Sequence, residues 1–395
     1  MTASTWLIKD CNAFLPGRGF CPHVGIAIRQ GKIADVGRDL KPARGATVFD
    51  AQGAWVTPGL IDGHTHLGMK DHPFDENDVN EKSVPLTPYA NVLDAINPFN
   101  EVFAHAVLNG VTAVMALPGS TNILGGLGAV IKTYGAVIDR MTVRAPAAMK
   151  MALGSNPKNA YGAKGRGTPH SRMGNAYLMR KAFNDALAYR KRRKPGAKNP
   201  ADPDIGNDNI LQVLSGRLPA RIHCHRADDI MTALRIADEF GFKPCLDHVT
   251  EGYRLADELA RRKIDCFVGP NFAPAVKQEN VRKGYANAVK LRQAGVRIAI
   301  ISDHGVDPCW FLPIYAGIAV REGLNEDDGL RAITEWPADM MGVQRRIGRL
   351  AKGLDADIAV WNRHPLYMGK AMRVWTAGNP ADENALRESH AFRDL

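Results

Sequence analysis

Histidine dominates the side chains of this chain that could do chemistry. His64 and His66 close the run Gly59-Leu-Ile-Asp-Gly-His-Thr-His66. His223 and His225 close Arg221-Ile-His-Cys-His225, His248 closes Leu246-Asp-His248, and Asp303 closes Ile300-Ile-Ser-Asp303. Each group ends a short apolar run that reads as a buried strand. Residues i and i+2 of a strand face the same side, so His64 and His66 can reach one ion. Imidazole nitrogen with carboxylate oxygen is the donor set of a catalytic zinc or a similar transition metal. A single strand-end histidine is ordinarily structural. Five of the 12 histidines at the ends of three such runs, with a carboxylate ending a fourth, point instead to a shared metal site.

Such a site needs a scaffold whose strands all end at one rim. Short apolar runs recur at 55–61, 111–117, 129–134, 147–153, 220–223, 243–247, 264–268 and 297–302, with helical stretches between them. Eight buried strands alternating with helices predict an α/β fold, a (β/α)8 TIM-type barrel, whose chemistry lies at the C-terminal strand ends. After Arg226, the residues Ile230, Leu234, Ala237 and Phe240 share one helical face, and Gly241 stops the helix. The two ends of the chain read differently. Val24-Gly-Ile26-Ala-Ile28 alternates, Gln30-Gly31 follows, and Lys32-Ile-Ala-Asp-Val36 returns, which is a hairpin pattern. Asp357–Trp361 and Arg373–Trp375 are similar β pieces. Residues 1–55 and 345–395 are therefore expected to form a small β-sandwich domain, and 56–344 the barrel.

Composition fits this reading. The chain has 395 residues, 45% hydrophobic and 23% charged, in the globular range. No run of 18 or more apolar residues predicts a membrane span, and the N-terminus lacks a basic start followed by an apolar stretch. The six scattered cysteines, without a CxxC, read as free thiols in a reducing, cytoplasmic setting. The net charge of +10 is local: Lys158 to Lys198 holds 12 Lys and Arg against the single acid Asp185. One basic run on an otherwise neutral chain does not point to nucleic acid.

The strand ends carry a resemblance. Thr57-Pro-Gly-Leu-Ile-Asp-Gly-His-Thr-His66 resembles the first-strand signature of the amidohydrolase superfamily. Gly31-Lys-Ile33 and Gly348-Arg-Leu-Ala-Lys-Gly-Leu-Asp-Ala-Asp357 resemble that superfamily's flanking β-sandwich motifs. The likeness covers nearly the whole chain and is greatest to the imidazolonepropionase- and prolidase-like branch. It implies a divalent metal, zinc favoured, held at His64, His66, His223, His248 and Asp303. His225 would stand beside the ion or face the substrate, with the reverse assignment of His223 and His225 open. Many relatives carry a carboxylated lysine on the fourth strand, which bridges two metals. Lys150 occupies that region and Lys132 is a weaker competitor, so one ion or two remains open.

The implied reaction is hydrolysis of an amide, lactam or peptide-like C–N bond. A divalent ion lowers the pKa of its water from 15.7 to about 7 and so supplies hydroxide near neutral pH. Asp303 would act as the base, and His248 or His225 would stabilise the oxyanion. The same site could deaminate an amino-substituted heterocycle. A non-catalytic assembly relative of the same fold is a further alternative, though such relatives usually lose the metal ligands.

The remaining signals concern the rim. Pro118–Asn122 and Gly125-Gly-Leu-Gly128 read as a glycine-rich loop that could present N–H groups to an anion. Asp71, His72, Asp75 and Glu76 read as a polar loop or pocket wall, and Glu251 and Tyr253 as substrate contacts. The basic segment is longer than a barrel connection requires. Its second half, 175–193, reads as an outer helix. Its first half offers Lys158, Tyr161, Lys164, Arg166 and Arg172 as a cover over the metal site that could clamp a substrate carboxylate. The expected partner is a small molecule, with no membrane or nucleic acid, in a homo-oligomer.

Overall fold

The computed structural model describes residues 5–15, 17–70, 77–162 and 167–381. Among the described residues, sixteen strands fall into two eight-stranded sheets. The first sheet takes both ends of the chain. Its strands are β1 (Trp6–Leu15), β2 (Gly19–Arg29), β3 (Lys32–Gly37), β4 (Thr47–Asp50) and β5 (Trp55–Pro58). The second sheet holds β6 (Leu60–Thr65), β7 (Val111–Ala116), β8 (Leu124–Lys132), β9 (Thr142–Ala152), β10 (Ala220–Cys224), β11 (Pro244–His248), β12 (Asp265–Val268) and β13 (Ile298–Ile300). The chain then returns to the first sheet as β14 (Ile358–Trp361), β15 (Ala371–Thr376) and β16 (Asn379–Pro380).

The β2–β3 hairpin forms where the alternation predicts it. Gln30 and Gly31 have φ of 51° and 77°, the paired positive values of a type I′ turn, which matches the strand twist. The alternate residues Ile26, Ile28 and Ile33 go inward and pack with Val56, Ile358, Val360 and Trp375. Residues from both ends thus share one core. Fully burying each such side chain contributes about 1.5–3 kcal/mol.

The second sheet runs in order from β6 to β13 and closes on itself. Thr65 bridges His304, His66 N–H donates to His304 O at 2.7 Å, and Asp303 N–H donates to His64 O at 3.1 Å. The closing contacts therefore run through the very segments that carry His64, His66 and Asp303. The helix Ala227–Phe240 lies where predicted and ends at Gly241 in the left-handed region. The outer helix is Arg172–Arg192, capped by Ser171, whose Oγ accepts from Gly174 N–H.

Three expectations change. The run 55–61 is not one barrel strand: β5 pairs with β1 and β14, and β6 starts after Gly59. A Cβ at Gly59 would lie 2.0 Å from Thr112 Oγ1, so glycine alone lets the chain cross here. The third barrel strand is antiparallel to both neighbours, and it starts at Leu124. The reason is connection length. Residues 117–123 are too few for a parallel crossover, which takes a dozen or more. Gly125–Gly128 is accordingly buried strand and not an anion-binding loop. At Gly126 (φ 110°) a Cβ would meet Ala90 O at 2.4 Å.

Reversal of β8 also sends Lys132 to the end of the barrel opposite the histidines. There, 5% exposed, it pairs with Asp357 and, at 3.2 Å, with Asp355. Asp355 also holds Lys32 and Arg346, so this charge cluster joins the two sheets. Lys132→Met strips two buried carboxylates of a partner and should lower unfolding stability by about 3 kcal/mol. Exposed Lys181→Ala should change it by under about 0.5 kcal/mol. Urea unfolding midpoints at unchanged slope measure both.

Candidate active site

The strand ends converge as the motifs predict. His64 and His66 stand at and just beyond the end of β6, His223 in β10, His225 one residue past it, and His248 at the end of β11. Asp303 follows β13. Ring centroids lie 5.0 Å apart for His64 and His248, 4.4 Å for His223 and His248, and 4.9 Å for the stacked pair His225 and His248. Asp303 Oδ1 is 3.3 Å from His64 Nε2 and 3.2 Å from His66 Nε2. Two overlapping groups could each hold an ion: His223, His225 and His248, and His64, His248 and Asp303, with ligand atoms within 4.8 Å of one another.

Nδ1 of each ring has a fixed neighbour. His66 Nδ1 is 2.7 Å from Leu117 O, and His248 Nδ1 is 2.7 Å from Gly269 O. A carbonyl only accepts, so Nδ1 carries a proton in both; in His248, which burial keeps neutral, Nε2 therefore holds the lone pair. His64 Nδ1 lies 3.2 Å from Asp247 Oδ2. His223 is bracketed by Ser120 Oγ at Nδ1 (2.9 Å) and Asn156 Nδ2 at Nε2 (3.3 Å). Asn156 Oδ1 accepts from Lys277 Nζ at 2.8 Å, which leaves the amide N–H for His223 Nε2. His223 Nε2 is therefore an acceptor, the form that can ligate. His225 Nδ1 meets Thr250 Oγ1 at 2.7 Å, a hydroxyl that can donate or accept, so either tautomer is open to it.

Burial holds His223, His225 and His248 well below the usual imidazole range, and neighbouring positive charges add to it. Neutral imidazoles are what a divalent ion requires. His248 Nε2 is buried and lacks a hydrogen-bond partner, which costs about 1–3 kcal/mol unless something is bound there. The donor set, its tautomers and this orphaned nitrogen fit a divalent metal. His248, Val249 and Asp303 also have φ of 73°, 48° and 54°. Non-glycine residues in that region cost on the order of 1–3 kcal/mol each and tend to sit at functional sites.

Beneath the histidines lies a charge cluster that residue spacing did not reveal. Asp247 is fully buried and accepts from Arg221 Nε (2.9 Å) and Arg221 Nη2. Arg221 also donates to Gly63 O (2.9 Å) and stacks 3.4 Å over Phe267. Burial alone would raise the Asp247 carboxyl, but Arg221 and its other neighbours hold it well below the usual range. Lys150, also fully buried, has Nζ 3.4 Å from Asp247 Oδ2 and 3.1 Å from His64 Nε2. Burial pushes its pKa down, with Asp247 acting the other way. Asp62 accepts from His64 N–H and Ser302, and burial pushes its carboxyl up to about 7.

The other rim candidates are engaged elsewhere. Arg172 is not free to clamp a substrate: its Nε donates to both oxygens of Asp229 (3.1 and 2.9 Å) and its Nη2 to Glu279 (3.1 Å). Tyr161 OH donates within the fold, 2.8 Å from Val84 O and 2.9 Å from Asn122 Oδ1. Glu251 accepts from Ala227 N–H (3.1 Å) at the start of a helix and pairs with Arg282 at 3.2 Å. Tyr253 lines an outer groove with Lys290. Lys164, Arg166, Asp71, His72, Asp75 and Glu76 lie outside the described residues.

Comparison with known proteins agrees with this geometry. The chain belongs to the amidohydrolase family, which it matches over residues 55–382. It is thus a hydrolase by family. It is similar to the crystal structure of an amidohydrolase from Thermotoga maritima MSB8, at 36% identity and a TM-score of 0.91, over 95% of this chain and 99% of that one. It is 24% identical to an imidazolonepropionase of Acidiphilium cryptum (strain JF-5), over 96% of both. It is 29% identical to the amidohydrolase tasK of Hapsidospora irregularis, where 88% of this chain matches and spans 38% of that longer protein. No helix among the described residues is long and apolar enough to cross a membrane.

Protein expressed with zinc is expected to carry at least one divalent ion per chain by elemental analysis, and chelation should lower its thermal midpoint. His248 belongs to both possible ligand groups. His248→Ala should therefore lose most of the ion while circular dichroism stays as in the wild type.

Proposed function

We propose that this chain is a metal-dependent hydrolase of amide-type C–N bonds, with zinc the favoured ion. One observation carries the reading: histidine ring nitrogens, most with Nδ1 facing a fixed neighbour behind them, meet the Asp303 carboxylate at the closing seam of the barrel. His64, His66, His223, His248 and Asp303 would hold the ion. Lys150, buried against His64, is where carboxylation would add a second. When bound, the ion supplies an activated water and polarises the carbonyl under attack.

The remaining work falls to side chains. Asp303 accepts one proton from the attacking water as its oxygen bonds to the carbonyl carbon. It returns that proton to nitrogen as the C–N bond breaks, leaving a carboxylic acid and an amine. Asp303 is only 14% exposed, so little solvent competes for the proton. The oxyanion needs a donor. Neutral His248 has none to spare, because Gly269 O holds its proton on Nδ1. His225 can take its proton on Nε2, with Thr250 donating to Nδ1, and so suits that role.

Asp303→Asn keeps the size of the side chain and removes the base. It should lower turnover by about 100-fold or more with little change in thermal midpoint. The assay is amine and ammonia release from amides, lactams and dipeptides by zinc-loaded protein. His225→Gln, which keeps an N–H donor, should retain more turnover than His225→Ala.

A further inference from the structure

Asn156 follows β9, in the helix Ser155–Tyr161. Its Nδ2 lies 3.3 Å from His223 Nε2, and its Oδ1 accepts from Lys277 Nζ at 2.8 Å. His223 is 3% exposed, whereas Asn156 is only half-buried. The amide is thus open to solvent at a point where the ring behind it is not. The carboxamide cannot turn over. The reversed setting would put Oδ1 against the lone pair of His223 and the NH2 group against an ammonium, which is repulsive at both ends. Lys277 is itself held: it pairs with Glu279 at 3.0 Å, and the buried Glu279 accepts from Ser155 N–H at 2.8 Å. Arg172 holds the same carboxylate at 3.1 Å. The contacts therefore run in a ring, from Asn156 to Lys277 to Glu279 and back to Ser155, the residue before Asn156.

A primary amide carries two hydrogens on nitrogen, and the fold uses one of them. Among the described residues, Asn156 Nδ2 meets no acceptor besides His223. An ion that takes the lone pair of His223 Nε2 frees the first hydrogen as well. The neighbouring ring is His225, whose centroid lies 4.7 Å from that of His223. Two donors, the Asn156 amide and the His225 ring, therefore flank His223. A donor that is fixed before the reaction and aimed at developing charge needs no reorganisation when the charge forms. The ring of contacts through Lys277 supplies that fixing.

We propose that Asn156 is a catalytic residue, whose amide N–H donates to the substrate carbonyl oxygen as that oxygen gains negative charge. The assignment rests on the hydrolase reading of the same site and adds a second donor beside His225. Lys277 is a positioning residue: it holds the amide with nitrogen toward the histidines. Asn156 stays neutral and gives up no proton, so the proton transfers remain with Asp303.

The test compares two anions of equal charge and different shape on zinc-loaded protein. Dimethylphosphinate is a singly charged tetrahedral anion with one oxygen for the ion and one for a donor. Azide carries the same charge and binds a metal end-on, without such an oxygen. Calorimetry gives the ratio of their affinities. Asn156→Ala should weaken dimethylphosphinate about tenfold or more and leave azide binding and zinc content within about twofold. A purely structural role would move both anions alike. Lys277→Met, which frees the amide to turn, should lose part of the same ratio, and Lys277→Arg should restore it. A ratio that Asn156→Ala leaves unchanged overturns the assignment, and this includes a wild type that binds no dimethylphosphinate. A ratio unchanged in Lys277→Met overturns the orienting role. A separate arm measures amide hydrolysis, where Asn156→Ala should lower kcat about 100-fold with KM within about threefold. Failure of the wild type on every amide counts against the hydrolase reading, whatever the anion result. Turnover that Asn156→Ala leaves intact counts against Asn156 alone.

Discussion

A carboxylate sealed from water, Asp247, is the constraint on which this site depends. Its negative charge is tolerable because Arg221 lies against it, and Arg221 is held by Gly63 O at Nη2 and by the Phe267 ring under the guanidinium, with Nη1 left without a hydrogen-bond partner. Removing one member of such a pair typically costs about 3–5 kcal/mol. The arrangement spans β6, β10, β11 and β12, so it fixes the relative height of the strands that carry His64, His223 and His248. It also places an anion 3.2 Å from His64 Nδ1. That anion favours a proton on Nδ1 electrostatically, without the hydrogen bond that Gly269 O and Leu117 O make to His248 and His66.

Above this floor the barrel closes through its own active segment. Backbone bonds from Asp303 to His64 and from His66 to His304 complete the cylinder. A shift in the seam would therefore move the base and two ligands together. Asp62, which accepts from Ser302 and from His64 N–H, ties the same two strand ends from within. The positive φ of His248 and Asp303 is affordable only because these bonds hold the backbone from both sides.

What could be read from the residues, and what could not, divides along physical lines. The histidines and Asp303 were legible because ligating residues are rare at strand ends and each sits in a short local pattern. The β2–β3 hairpin was legible because alternation and Gln30-Gly31 are both local. The direction of β8 was not, since a fully buried strand reads the same either way. Only the short connection at 117–123 held that information. Glycines at 125, 126 and 128 suggested a loop, yet they serve close packing inside a strand. Arg172 misled because its partners Asp229 and Glu279 lie 57 and 107 residues away.

The central claim is that the strand-end histidines and Asp303 form one metal centre. Crystals of zinc-loaded protein, measured on both sides of the zinc absorption edge, test it most directly. The account predicts an anomalous peak inside the barrel mouth, bounded by His64, His66, His248 and Asp303, with the histidines facing it through Nε2. A peak elsewhere on the protein, or no peak between these side chains in crystals of zinc-loaded, folded enzyme, would contradict it.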